Sequence, residues 1–266
     1  MIYNKRMIYR LLILLTFIAC GKLEYSPYQV EVDNFNSNKV NLNKILNLRN
    51  NLGKSYNYKV AVISDTHDYY DGLDKQIDYI NANSLQYDFV IVTGDLSNVG
   101  LVSELTLSKD KLDRLKIPYL TTSGNHDLLI DGEKIFFRIF GNDTFAFEHQ
   151  QTKFILFNNN NWESSKNVPD LNFLENELRN NSMENLILFS HVAPDDPDRF
   201  NEKQIDNLRY LVNTYGVSYY VNGHNHNYAD GKFGNAIQVT AGSSSKLVLL
   251  ELEISSLGVK HEFIKL

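Results

Sequence analysis

Five apolar runs, each followed at once by polar residues, constrain the fold of this chain more than any other feature. They cover residues 58–63, 88–93, 117–122, 186–190 and 217–221. Runs that are apolar along nearly their whole length are typical of strands buried on both faces. Residues 236–266 carry mostly strand signals. We therefore predict an α/β core that finishes in antiparallel strands.

Segments with helical spacing separate most of these runs. We predict helices over residues 73–82, 101–115, 135–140, 171–178 and 204–215. Asp170 is a predicted N-cap, because a side-chain oxygen at that place can accept from the first free backbone N–H groups. Residues 144–149 and 153–157 alternate between apolar and polar, which indicates a hairpin.

The residues that follow the five strands share one chemistry, since they are rich in Asp, Asn and His. In open α/β sheets, ligands bind outside the carboxyl ends of the strands. Five of the seven histidines lie in these loops, and we interpret His149 and His261 as structural. The loops read Asp65-Thr66-His67, Gly94-Asp95, Gly124-Asn125-His126-Asp127, Ser190-His191 and Gly223-His224-Asn225-His226.

Carboxylate, amide oxygen and imidazole donors together suit divalent ions such as Mn, Fe or Zn. The donors exceed what one ion needs, which favours a pair of ions about 3.5–4 Å apart that clamps a displacement at phosphorus. Asp95, from a central strand, is the best candidate for a bridging carboxylate. A metal-bound hydroxide would be the nucleophile, and one imidazole outside the metal shell would protonate the leaving alkoxide.

In this order and at these spacings, the five motifs resemble those of the calcineurin-like metallophosphoesterase superfamily over roughly residues 58–242. The segment Phe173-Leu174-Glu175-Asn176-Glu177-Leu178 before His191 is similar to its cyclic-nucleotide phosphodiesterase and purple acid phosphatase branch. The resemblance implies a two-sheet β-sandwich flanked by helices. It also implies metal-dependent hydrolysis of phosphomonoesters or phosphodiesters. No tyrosine follows Asp95 closely, so the iron–tyrosinate site of purple acid phosphatases is not expected.

The resemblance also implies a role for each motif residue. His126 would contact the phosphate or donate a proton to the leaving group, and Asp127 would orient His126. Seven residues would hold two divalent ions: Asp65, His67 and His226 the first, Asn125, His191 and His224 the second, and Asp95 both.

Two residues outside the motifs are candidate substrate contacts. Tyr69 follows the first motif and could stack on a nucleobase, although packing on a neighbouring loop explains it equally. Arg199 lies in an acidic run after His191 and could contact a phosphate or ribose, whereas an exposed loop is the simpler interpretation. The formal net charge of −6 argues against a nucleic-acid-binding face. The resemblance implies a small phosphoester as the substrate.

The N-terminus has the pattern of a signal peptide. A positive head precedes an apolar run at residues 11–19, which is far shorter than the ~20 residues that span a bilayer. Cys20, the only cysteine, directly follows this run and resembles the lipidated cysteine of bacterial lipoproteins. An ordinary secretory signal is the alternative. We therefore expect an exported protein, anchored by lipid at Cys20 on the periplasmic or extracellular face of a bacterial membrane.

Together these patterns divide the chain into a lipoprotein signal peptide at 1–19, a tether with a short packing helix at 20–56, and a metallophosphoesterase domain at 57–266. A second hypothesis belongs to a different class of protein. It is a surface-displayed, metal-binding lipoprotein of the same fold without significant turnover. The sequence makes no prediction about oligomeric state.

Overall fold

The computed structural model describes residues 29–48 and 56–266. The predictions about the signal peptide and about Cys20 therefore lie outside the described residues. In the part of the chain that is described, no helix is both long and apolar enough to cross a membrane.

Two β-sheets form the centre of the protein, one of five strands and one of six. The strands are β1 (Asn57–Ile63), β2 (Tyr87–Val92), β3 (Tyr119–Thr121), β4 (Phe145–His149), β5 (Thr152–Leu156), β6 (Asn185–Phe189), β7 (Tyr219–Asn222), β8 (Ala229–Phe233), β9 (Ala236–Thr240), β10 (Val248–Ser255) and β11 (Gly258–Lys265).

Each sheet has a parallel centre with antiparallel additions. The first has the order β11-β10-β1-β2-β3, and β1 to β3 run parallel. The second has the order β4-β5-β6-β7-β9-β8, in which only β4 and β8 run antiparallel to their neighbours. A bridge between Ser64, after β1, and Ser243, after β9, joins the two sheets. The polar loops that follow the parallel strands therefore meet at one end of the sandwich.

Helices cover both outer faces of the sandwich. Three of them, α2, α3 and α4, pack on the five-stranded sheet, and α5 and α6 pack on the six-stranded sheet. The predicted two-sheet sandwich flanked by helices is confirmed. The helices are α1 (Ser37–Leu46), α2 (Tyr70–Ala82), α3 (Val102–Leu112), α4 (Gly132–Ile139), α5 (Leu171–Arg179) and α6 (Glu202–Thr214).

β1 shows why the strands are apolar along their length. Val60 and Val62 face the core between the sheets, whereas Ala61 and Ile63 face the helices. A strand with an apolar layer on each side needs apolar residues at every position, not at alternate ones.

The helix α1 lies against the outer edge of the five-stranded sheet. The Asn38 amide donates to the Thr121 oxygen at 2.8 Å and accepts from the Thr121 nitrogen at 2.9 Å. It thereby pairs backbone groups that an edge strand otherwise leaves open. Ile45 of the same helix is fully buried in the core between the sheets.

Three local features can be compared with the predictions from the sequence. The predicted hairpin is confirmed as β4 and β5. The predicted cap is also confirmed, because Asp170 accepts from the Asn172 and Phe173 backbone at 3.1 and 3.0 Å. β8 is not among the predicted strands, since four of its five residues are exposed and carry no apolar alternation.

Candidate metal centre

The five polar loops bring their donor atoms into two overlapping groups. In each group the ligand atoms all lie within 4.8 Å of one another. The Asn125 oxygen joins the second group, because it lies 3.1 Å from Nε2 of His191. Asp95 belongs to both groups, which is the position expected of a bridging ligand. The first group is Asp65, His67, Asp95 and His226, and the second is Asp95, His191 and His224.

Close approaches between donor atoms define the first group. Nε2 of His67 lies 3.1 Å from Nε2 of His226 and 3.4 Å from Oδ2 of Asp95. Nε2 of His226 lies 3.5 Å from Oδ1 of Asp65. Lone pairs that face each other at these distances repel unless a cation or a proton lies between them.

Donor atoms also approach each other closely in the second group. Nε2 of His191 lies 3.1 Å from Oδ2 of Asp95 and 3.3 Å from Nδ1 of His224. His191 and Asp95 are both fully buried, so water cannot separate their charges.

Backbone carbonyls fix the orientation of the imidazoles. Nδ1 of His67 lies 3.1 Å from the Ser97 oxygen, and Nδ1 of His191 lies 2.8 Å from the Thr93 oxygen. Because a carbonyl oxygen only accepts, each Nδ1 carries the hydrogen and each Nε2 presents a lone pair to the site. This is the tautomer that a metal ligand requires.

One orphaned atom shows that the donor set fits metal ions. Oδ2 of Asp95 is buried and has no hydrogen-bond donor among the described residues. A buried carboxylate oxygen without a donor is costly, and a divalent cation removes that cost. In their neutral forms, the imidazoles of His67 and His191 present lone pairs to this oxygen and cannot donate to it. The residues present therefore fit a two-ion centre.

The charges of the site act on each other strongly. Burial disfavours a charged His191, but Asp95 and Asp65 outweigh burial and raise the pKa of His191 to about 9, so without an ion its Nε2 holds a proton that a bound cation would replace. Burial raises the pKa of Asp65 to about 6. Burial and the neighbouring His191 lower the pKa of His224 to about 4, so His224 is neutral at neutral pH. The carboxylates create a negative field that attracts cations.

The backbone of the site is unusual. Residues other than glycine seldom adopt positive φ, although Asp, Asn and His are enriched among those that do. Such conformations cost free energy and cluster at functional sites. Sequence reasoning has no signal for this feature. Five of the seven predicted ligands have positive φ: Asp65 (49°), His67 (40°), Asp95 (53°), His224 (73°) and His226 (58°).

Gly124 is required by close packing at the bridging residue. A Cβ added at Gly124 would collide with Oδ1 and with the backbone nitrogen of Asp95. Oδ1 of Asp95 accepts from the His126 nitrogen at 2.9 Å, so the loop after β3 lies directly on Asp95.

The Asp127 carboxylate has different hydrogen-bond partners from the one that the motif predicts. One of its oxygens accepts from the nitrogen and the hydroxyl of Ser97, both at 2.9 Å, and the other accepts from the Gly124 nitrogen at 2.9 Å. Nδ1 of His126 instead lies 2.6 Å from the Asn98 oxygen. The prediction that Asp127 orients His126 directly is therefore wrong. His126–Leu128 form a 3₁₀ turn, in which consecutive side chains point about 120° apart.

The two candidate substrate contacts occupy different borders of the site. The Tyr69 ring is 39% exposed and lies 6.0 Å from the His67 ring. Arg199 is buried, and its Nη1 lies 2.8 Å from Oε1 of Glu163. The Arg199 guanidinium also lies 4.6 Å from the centre of the Trp162 ring, which is 66% exposed. Neither residue is among the metal-donor groups.

The histidines outside the five motifs have structural partners. Nε2 of His149 lies 2.6 Å from Asp88, and Nδ1 of His261 lies 3.3 Å from the Tyr219 hydroxyl. Both therefore lie away from the donor groups.

Comparisons with known proteins identify relatives of this arrangement. The family model described as calcineurin-like phosphoesterase matches residues 58–228. A probable cyclic nucleotide phosphodiesterase of Xenorhabdus bovienii (strain SS-2004) is 27% identical over 144 residues, which cover 48% of this chain and 53% of the relative. The chain thus spans about half the length of that relative.

Solved structures share the fold at low identity. A purple acid phosphatase, PPD1, from yellow lupin (Lupinus luteus) has a TM-score of 0.62 at 16% identity, covering 79% of this chain and 52% of that one. GAP50, described as the anchor in the inner membrane complex of Plasmodium, has a TM-score of 0.61 at 15% identity, covering 79% of this chain and 84% of that one. At these identities the likeness shows the fold alone.

Proposed function

This chain belongs to the calcineurin-like phosphoesterase family, and from that premise we propose that it hydrolyses phosphomonoesters or phosphodiesters with two divalent metal ions. The observation that carries the proposal is the Asp95 carboxylate, which two groups of donors share and which has no hydrogen-bond donor on Oδ2 among the described residues. A single structural ion needs neither a shared carboxylate nor two groups.

Each of the two donor groups provides the ligands for one ion. When bound, the ions supply Lewis acidity, which lowers the pKa of water and neutralises the phosphoryl oxygens. The donor set suits Mn, Fe or Zn and contains no thiolate. Asp65, His67 and His226 would hold one ion, Asn125, His191 and His224 would hold the other, and Asp95 would be shared by both.

His126 is the group that we assign to proton transfer. Its ring centre lies 4.8 Å from that of His67, yet His126 is absent from both donor groups. Its Nδ1 hydrogen is committed to the Asn98 oxygen, so proton donation to the leaving-group oxygen would come from Nε2 of the doubly protonated ring, which becomes neutral as the proton leaves. Asp127 supports this assignment indirectly, because it accepts from Ser97, next to Asn98, and from Gly124, two residues before His126.

The substrate is a small phosphoester. The curated relative is described as a probable cyclic nucleotide phosphodiesterase, which makes cyclic nucleotides the first diesters to test. We propose that Tyr69 packs against the organic part of the substrate, since its exposed ring borders His67 and His226. Arg199 would contact a phosphate or ribose, with Glu163 orienting its guanidinium.

The metal centre and the turnover can be tested together. Purified protein should contain two ions of Mn, Fe or Zn and should hydrolyse members of a panel of phosphomonoesters, cyclic nucleotides and phospholipid headgroups. His224→Ala should lose one ion and most activity, whereas the matched control His261→Ala should lose neither. Full metal content and full activity in His224→Ala would contradict the proposal.

The location of the protein is a separate proposal. The Ala19-Cys20 junction supports export and lipid anchoring at Cys20. Cys20→Ser should move the protein from the membrane fraction to the soluble fraction and should abolish labelling by a radioactive fatty acid. Equal labelling of both forms would contradict the anchor.

A second candidate function is a metal-binding surface lipoprotein without turnover. A neighbour described as an anchor in a membrane complex shares this fold, and a shared fold does not by itself determine function. His126 favours the enzyme, because a binding protein has no need for an oriented imidazole beside the metal ligands. Two bound ions without turnover on the whole panel would favour the binding protein.

A further inference from the structure

A run of four asparagines follows β5, and its first three side chains are buried. Asn158, Asn159 and Asn160 are exposed by only 1%, 0% and 0%. Asparagine is mostly found at protein surfaces, and a buried amide requires hydrogen-bond partners. The Asn159 and Asn160 amides bond to loops that carry metal ligands, and the Asn158 amide bonds to Asp143 and to Asn160.

Asn159 holds the residue after His191. Its Nδ2 donates to the Val192 oxygen at 2.8 Å, and its Oδ1 accepts from the Val192 nitrogen at 3.0 Å. A single amide thus satisfies both backbone groups of Val192, much as a neighbouring strand would. Val192 itself is fully buried, so water cannot substitute for these bonds.

Asn160 and Asn158 hold the loop that carries Asn125. Nδ2 of Asn160 donates to the Ser123 oxygen at 2.9 Å. Nδ2 of Asn158 donates to Oδ2 of Asp143 at 2.9 Å, and the same oxygen accepts from the Ser123 hydroxyl at 2.8 Å. Both the backbone and the side chain of Ser123 are therefore tied to the asparagine run.

These two loops belong to different sheets. Ser123 follows β3 of the five-stranded sheet, whereas Val192 follows β6 of the six-stranded sheet. Their ligands nevertheless meet, because the Asn125 oxygen lies 3.1 Å from Nε2 of His191. The separation of two sheets is set by side-chain packing, which tolerates small shifts far better than a metal site does.

We infer that Asn159 and Asn160 are positioning residues for the second metal ion, which hold the Asn125 and His191 loops at a fixed separation across the two sheets. The inference rests on the proposed two-ion centre. It assigns a function to a run of residues whose side chains bond to the backbone of the ligand loops and not to the predicted ligand side chains. The loops that carry Asp65, His67 and His226 receive no hydrogen bond from either amide, so the effect should be confined to one ion.

Asn159→Asp tests the inference with little change in shape. The carboxylate can still accept from the Val192 nitrogen, but it cannot donate to the Val192 oxygen and repels it. The matched control is Asn185→Asp, at the opposite end of β6. Asn185 is likewise buried, and its Nδ2 donates to the Tyr56 hydroxyl at 2.9 Å. Asn160→Ala is a milder second variant. It removes the amide that donates to the Ser123 oxygen.

The measurement is a titration of the metal-free full-length protein with Mn²⁺, followed by calorimetry and by the electron paramagnetic resonance signal of coupled ions. Wild type and Asn185→Asp should bind two ions alike. In Asn159→Asp and Asn160→Ala, one binding step should weaken about 10-fold or more, and the other should stay unchanged. Unfolding of each variant by urea measures any loss of stability separately.

Two results would overturn the inference. One is that neither step weakens in a variant that folds. The other is that both steps weaken together in proportion to the loss of stability, in the two variants and in Asn185→Asp alike. Failure of the proposed function looks different. A wild type that binds two ions but hydrolyses no phosphoester would contradict the enzyme, while the titration would still decide the role of the asparagines.

Discussion

Nδ1 of His126 lies 2.6 Å from the backbone oxygen of Asn98, in the loop that follows the bridging Asp95. Because the oxygen can only accept, the imidazole keeps its hydrogen on Nδ1 and presents Nε2 to a ligand. No side chain is needed to set this tautomer, so it cannot be changed by replacing Asn98 with another residue.

His126→Ala should abolish most turnover and leave both ions bound. Loss of a general acid typically costs about 10²–10⁴-fold in rate. Metal analysis and steady-state kinetics on one preparation check both halves, with His261→Ala as the control. Loss of one ion together with activity would instead place His126 among the metal ligands.

Asp127→Ala should destabilise the fold. It leaves the backbone nitrogens of Ser97 and Gly124 without their buried acceptor. Each such group costs about 1–3 kcal/mol, so we expect the free energy of unfolding to fall by roughly 2 kcal/mol or more. Urea unfolding measures the change, and His126→Ala should show almost none. Equal stability of the two variants would contradict the anchoring role of Asp127.

Asp143→Asn should change how stability depends on pH. Burial raises the pKa of Asp143, whose carboxylate accepts from Ser123 and Asn158. Since the folded pKa lies above the unfolded value, the folded protein binds more protons, and this group's contribution to stability falls as pH rises above about 4.

The amide that replaces the Asp143 carboxylate in that variant has no charge to bury, so the stability of the variant relative to wild type should increase as the pH rises from about 4 through the raised pKa of Asp143. Urea unfolding of the metal-free proteins at several pH values measures this difference, with the exposed Asp230→Asn as the control. A constant difference between Asp143→Asn and wild type would contradict the prediction.

Phosphate binding at Arg199 should change tryptophan fluorescence. Trp162 is the only tryptophan of the chain, and the Arg199 guanidinium lies 4.6 Å from its ring. Inorganic phosphate added to the metal-loaded protein should alter the emission, and Arg199→Gln should remove the response. Unaltered emission at phosphate concentrations that inhibit turnover would exclude Arg199 as a contact.

The fold could largely be predicted because its signals are local. The sequence predicts strands at 58–63 and 88–93, and β1 and β2 lie at Asn57–Ile63 and Tyr87–Val92. Burial on both faces leaves an unbroken apolar run, which is easy to recognise. β8 shows the limit of this reasoning, since an exposed edge strand needs no apolar residue until Phe233.

The members of the candidate site could be predicted from residue types at strand ends, but their hydrogen bonds could not. Asp127 and His126 are adjacent in sequence, yet a tight turn sends their side chains to Ser97 and to Asn98. The asparagine run after β5 carries no recognisable signal, because partners such as Ser123 and Val192 are far away in the sequence. Contacts between side chains and a distant backbone leave no periodic pattern.

The positive φ values of the candidate ligands limit how this centre could be redesigned for another metal. A softer ion would favour cysteine in place of Asp65 or His224, which have φ values of 49° and 73°. Those replacements would be resisted by the main chain before any question of coordination arises, since Asp and His tolerate this backbone region better than most residues. Metal preference and backbone shape are therefore coupled here, and an exchange of ligands would need a redesigned turn beneath it.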